Sequence, residues 1–170
     1  MLFIVTGGTI DKMPSYLPDG KTFDNDSKIF EETHLPDMLE RGRFAGSFAI
    51  NKLFMVDSLD MTDEHRKQIL DATEDTEETQ IVVTHGTDTM PETARYLERS
   101  KKLAAKTIVL TGAMLPYSIG EESDAMFNLG NAIGFVQILP SGIYVAMNGQ
   151  AFEGNNVRKD VEAGVFKPLN

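Results

Sequence analysis

The sequence predicts one α/β domain: a three-layer parallel sheet of the flavodoxin or Rossmann type, with helices on both faces. Three observations carry that expectation. Five short apolar runs are separated by stretches of helical pattern. The runs are mostly continuous rather than alternating, as in strands covered on both sides. Strict alternation of strand and helix requires right-handed crossovers, hence parallel neighbours.

Leu2 to Val5 is the first run, closed by Gly7-Gly8. Asp11 to Asn25 follows with two prolines, Gly20 and no period. Loops of that length in a compact domain are functional or mobile. Thr33 to Arg41 reads as a short helix, and Phe48 to Val56 as the second strand. Thr62 is placed to cap a helix running into Ile69 and Leu70. Gln80 to Thr84 is the third strand. Pro91-Glu92 opens a further helix, since proline suits a first turn; Ala94 and Leu97 then face inward. Thr107 to Thr111 is the fourth strand. Ser123 or Asp124 caps a helix with Phe127, Ile133, Phe135 and Ile138 as its apolar contacts, ended by Pro140. Gly142 to Met147 is the fifth strand.

The 170 residues suit a single core and one domain, 1–170, with no second domain expected. The absence of cysteine excludes disulfides, thiolate nucleophiles and cysteine-held zinc. A net charge of −10 repels phosphate backbones and anionic lipids, so neither nucleic acid nor a membrane is an expected partner. No apolar run approaches the ~20 residues of a membrane span. The N-terminus enters Leu2-Phe3-Ile4-Val5 without a basic leader, so the expected location is cytoplasmic.

In an open parallel sheet, ligands sit beyond the carboxyl ends of the strands. Those ends carry Thr6-Gly7-Gly8-Thr9, Asp57-Ser58-Leu59-Asp60, His85-Gly86-Thr87-Asp88-Thr89, Gly112-Ala113-Met114 and Asn148-Gly149-Gln150. Such a rim suits a small polar ligand. The "TGGTI" turn matches neither a dinucleotide fingerprint nor a Walker loop, and it leaves the Thr9 hydroxyl on a glycine turn. In "HGTDT", Asp88 or Thr89 suffices to cap the next helix, so three consecutive polar residues exceed that need. His85 has no second histidine or glutamate at metal spacing and reads as structural. No metal and no cofactor are expected.

The motifs Thr6-Gly7-Gly8-Thr9-Ile10 and Thr84-His85-Gly86-Thr87-Asp88-Thr89-Met90 resemble the two signatures of the bacterial-type L-asparaginase/glutaminase family. The resemblance continues, in order, through "SLDM" (58–61), "TGAMLP" (111–116), "SDAMFNLGNAI" (123–133) and "NVRKD" (156–160). It implies a domain of the family's N-terminal type. It also implies Thr9 as nucleophile, with Thr87, Asp88 and Lys159 as a polar catalytic set. Ser58 would grip a substrate carboxylate and Asp88 its amino group, with Gly86, Thr87 and Ala113 also lining the substrate. Tyr16 is the candidate for a supporting loop tyrosine. The implied reaction is acyl transfer on a small amide such as L-asparagine, giving L-aspartate and ammonia. A threonine hydroxyl needs an adjacent acceptor to act so, and the Thr87 N–H is a candidate oxyanion donor. A homodimer is expected.

Three departures from the family pattern stand out. The chain ends at Asn170, where family members commonly continue into a second α/β domain. Asp11-Lys12 follows "TGGTI" where a small residue is usual, so charge enters the nucleophile's surroundings. Leu115 replaces a commonly basic residue. They keep two alternatives open: a module that binds aspartate or asparagine without turnover, and a subunit of an amidotransferase-type assembly.

Overall fold

A computed structural model describes residues 1–13 and 31–170. Five parallel strands form the body of a six-stranded sheet: β1 (Leu2–Gly7), β2 (Ala49–Val56), β3 (Gln80–Thr84), β4 (Thr107–Thr111) and β5 (Gly142–Met147). Their spatial order is β2-β1-β3-β4-β5, the flavodoxin order. An antiparallel strand, β6 (Gln150–Glu153), extends the far edge. A two-stranded hairpin, β7 (Arg158–Asp160) and β8 (Val165–Lys167), stands apart from the sheet.

Period-two side chains on continuous apolar strands feed two cores. Leu2, Ile4, Ile81, Val83, Ile108 and Leu110 pack on one face against α2 (Asp63–Glu74) and α3 (Met90–Leu97). Phe3, Val5, Val82 and Val109 pack on the other against α1 (Leu35–Arg41) and α4 (Ala125–Ile138). Helices therefore cover both faces, as the sequence predicts.

Details depart from expectation. β2 is half-exposed, not buried on both faces: it is an edge strand, and Asn51 and Lys52 lie on its open side. In α4, Ala125, Leu129, Ala132 and Val136 face the sheet, whereas Phe127 and Ile138 are exposed; Ile133 and Phe135 are half-buried. The four small or aliphatic residues recur at three- to four-residue steps and win the inward stripe. Thr62 does cap α2, its hydroxyl accepting from the His65 N–H while the His65 ring accepts from the Thr62 N–H. Strands β6 to β8 carry no sequence expectation. The turn from β5 into β6 is Asn148-Gly149, both at positive φ (55° and 76°), the pairing a two-residue hairpin loop demands.

Candidate active site

The chain leaves β1 for β2 on one side and returns to β3 on the other. That reversal opens a crevice beyond the carboxyl ends of β1 and β3. Thr9 and Thr87 lie just past those ends.

Glycines bring the loops into backbone contact. Gly8 sits at φ 90°, ψ −176°, a region reserved for glycine. A methyl there would fall on the Gly86 backbone and 2.8 Å from the His85 carbonyl carbon. A methyl on Gly86 would lie 2.9 Å from both the Ser58 nitrogen and Oγ. So the turns carrying Thr9, Thr87 and Ser58 touch directly. Thr9 opens a single 3-10 turn, Thr9–Asp11. It is half-buried, and among the described residues none hydrogen-bonds its hydroxyl.

Behind them, His85 is fully buried. Its backbone N–H donates to Thr111 O at 2.8 Å. Burial drives its pKa down to about 4, so the ring is neutral at pH 7. From its partners, Nδ1–H donates to Gly86 O (2.7 Å) and the Thr93 hydroxyl donates to Nε2 (2.8 Å). The ring braces the Gly86 turn against α3, the structural role the sequence suggests.

The three polar residues after Gly86 share two partners, Lys159 and Ser58. Lys159 Nζ donates to Thr87 Oγ1 at 2.8 Å and to Asp88 Oδ1 at 2.6 Å. Ser58 Oγ donates to Asp88 Oδ2 (3.1 Å) and accepts from the Asp88 N–H (3.2 Å). The Thr89 hydroxyl donates to Ser58 O at 2.8 Å. Neither Asp88 nor Thr89 caps α3 with its side chain. Thr87 and Ser58 are buried, and the Asp88 side chain is 40% exposed to any ligand in the crevice.

Lys159 arrives from far along the chain on β7. Its cross-strand neighbour Phe166 is buried in the α2–α3 core and anchors the hairpin. Asn148 Oδ1 adds a clamp by accepting from the Phe166 N–H at 2.8 Å. Asn148 thus serves structure on a rim the sequence offered to a ligand.

Ser58, Gly86, Thr87, Asp88 and Lys159 therefore meet, with Thr9 on the abutting turn. Ala113 is 1% exposed in the α1–α4 core, so its methyl is a packing group. Tyr16 lies outside the described residues. The sequence reading missed Asp57. Lys12 Nζ lies 2.7 Å from Asp57 Oδ2. Burial pushes the Asp57 carboxyl up, but Lys12, the Leu59 N–H and Lys159 more than offset it, leaving its pKa below the ordinary value. Lys12 and Asp57 lie far apart in the sequence, so no local pattern pairs them. Among the described residues no group of three histidine or acidic side chains could hold a metal ion.

Fold and rim together define a flavodoxin-ordered α/β protein whose switch point holds threonine hydroxyls, a lysine and a carboxylate in place of a phosphate cradle. The family model described as Asparaginase, N-terminal, matches residues 1–165, and the chain belongs to that family. L-asparaginase 1 of Escherichia coli K12 is 30% identical over 162 residues, 91% of this chain and 45% of that protein. L-asparaginase 2 of the same strain is 39% identical over 95 residues, 53% of this chain and 27% of that protein. The crystal structure of L-asparaginase I from Vibrio cholerae superposes with a TM-score of 0.79 at 26% identity, covering 98% of this chain and 50% of that one. The chain thus spans about half the length, or less, of these relatives.

Proposed function

We propose that the chain is an asparaginase-like amidohydrolase that hydrolyses a small amide such as L-asparagine to L-aspartate and ammonia. One observation carries the reading: Lys159 bridges Thr87 Oγ1 and Asp88 Oδ1 beside Ser58, on the crevice that the Thr9 turn also lines. Family membership supports it.

The chemistry divides between the turns. Ser58 and the half-exposed Asp88 carboxylate hold the carboxylate and amino ends of the substrate. Thr9 Oγ attacks the carboxamide carbon. Its proton passes through the Thr87–Lys159 pair to the departing nitrogen, which leaves as ammonia. Water then cleaves the Thr9 ester, giving the acid and restoring the hydroxyl. Asp88 holds Lys159 in place. Tyr16 is the remaining member of the proposed set. The same reading carries a homodimer working in the cytoplasm, testable by sedimentation and cell fractionation.

The test is ammonia release by the purified 170-residue chain from asparagine, glutamine and related amides. Turnover that disappears in Thr9→Ala, with L-aspartate binding retained, is the expected result. Calorimetric binding of L-aspartate without turnover at high enzyme concentration would refute hydrolysis and leave an amino-acid binding module.

A further inference from the structure

We infer that Lys12 and Asp57 are positioning residues: their ion pair, between a buried lysine and a half-buried carboxylate, locks the turn of Ser58 onto the turn of Thr9 and sets the spacing of the two ends of the substrate site. The inference rests on the proposed function for its kinetics, not for its binding readout.

Lys12 touches both turns at once. Its main chain closes the nucleophile turn, the Lys12 N–H donating to Thr9 O at 3.0 Å, while Lys12 O accepts from the Ser118 hydroxyl at 2.8 Å. Its side chain, 6% exposed, crosses to Asp57 Oδ2 at 2.7 Å. Asp57 spends its other oxygen on the Leu59 N–H at 3.0 Å, capping the one-turn helix Ser58–Asp60. Ser58 then serves Asp88 through Oγ and Thr89 through its carbonyl. The chain of contacts runs unbroken from the Thr9 turn, through Lys12 and Asp57, to Ser58 and Asp88.

Asp11 fastens the same turn from the other side. It is 1% exposed and accepts from the Thr33 hydroxyl at 3.0 Å and the His34 N–H at 2.8 Å, at the start of α1. Two adjacent buried charges thus fix the nucleophile turn to α1 and to the Ser58 turn. Such a pair adds little net stability, but removing Asp57 leaves the Lys12 ammonium buried without its carboxylate, which is costly, so the pair constrains where the two turns can sit. The glycine contacts of Gly8 and Gly86 hold the turns close; the Lys12–Asp57 pair fixes their relative placement along the crevice.

The experiment compares Lys12→Met, Lys12→Arg, Asp57→Asn and the double variant Lys12→Met/Asp57→Asn. Each is read by L-aspartate calorimetry, by the KM and kcat of ammonia release, and by thermal melting. The double variant leaves no lone buried charge and keeps the fold if a single variant loses it. Positioning predicts that the double variant melts near the wild type yet binds L-aspartate at least ten-fold more weakly. KM should rise more than kcat falls, and Lys12→Arg should recover part of the loss. Wild-type affinity and KM in the double variant would overturn the inference. If the wild type binds L-aspartate but releases no ammonia, the hydrolase reading falls while the binding comparison still decides this one. If the wild type does not bind L-aspartate, the inference falls as well.

Discussion

Alanine in place of Gly8 should be among the most damaging one-atom changes in the chain, and alanine in place of Gly134 should be stabilising. At Gly8 two costs add. The backbone lies in a region that costs a side-chain-bearing residue roughly 1–3 kcal/mol. The new methyl also meets the Gly86 backbone and the His85 carbonyl carbon, which are main-chain atoms held by the sheet and cannot swing aside. Overpacking of that kind costs roughly a further 1–3 kcal/mol. The sum, about 2–6 kcal/mol, is a large part of the roughly 5–15 kcal/mol that holds a domain together. For a chain of this size it corresponds to a fall in Tm of about 4–24 °C.

Gly134 sits exposed in α4 with no atom within 4 Å of the added methyl. Removing a helical glycine there gains about 0.5–1 kcal/mol, or about 1–4 °C. Thermal and urea melts of both variants, with m-values unchanged, measure the contrast. A Gly8→Ala loss below about 1 kcal/mol would refute the claim that the turns meet backbone to backbone. So would equal and opposite results at the two positions.

Two further outcomes follow from buried polar groups. His85 binds a proton near pH 6.5 when unfolded and near pH 4 when folded, so its contribution is intact above pH 6.5 and is lost as pH falls toward 4. Urea melts should show wild-type stability falling by roughly 2–3 kcal/mol more than that of His85→Gln between pH 7.5 and 4.5. Matching slopes would mean the ring is not held neutral. Asn128 is fully buried, donating to Gly112 O and Asp124 Oδ2 and accepting from the Asn148 N–H. Asn128→Ala orphans those groups and should cost about 2–4 kcal/mol in chemical denaturation; a loss under 1 kcal/mol would show that water replaces the amide.

The body of the sheet was legible because its strands are apolar on both faces, so short runs such as Leu2–Val5 and Gln80–Thr84 stand out without a period. The same logic misread β2, whose exposed edge lets Asn51 and Lys52 into the strand. It missed β7 and β8 because three-residue strands leave no pattern to read. For β6 a signal existed: Asn-Gly between Met147 and Gln150 is a strong hairpin mark. α4 misled because exposed Phe127 and Ile138 outweigh, to the eye, the small residues that face the sheet. Within the site, Thr87, Asp88, Ser58 and Lys159 were reached through motif resemblance. No local pattern could bring Lys159 to Thr87, since their hydrogen bond spans 72 residues.

The Asp11-Lys12 departure then takes on a different meaning. From sequence it read as charge intruding beside a nucleophile. In the fold Asp11 accepts from Thr33 and His34, and Lys12 pairs with Asp57. Small residues at both places would remove both side-chain tethers of the Thr9 turn. The carboxylate of Asp57 precedes Ser58 and is half-buried, and Lys12 is the cation that pairs with it from a neighbouring turn. The Lys12 departure after the first motif and the Asp57 carboxylate before Ser58 therefore form a single device. Substituting either alone should do more harm than substituting both, because a lone buried charge costs more than an absent pair.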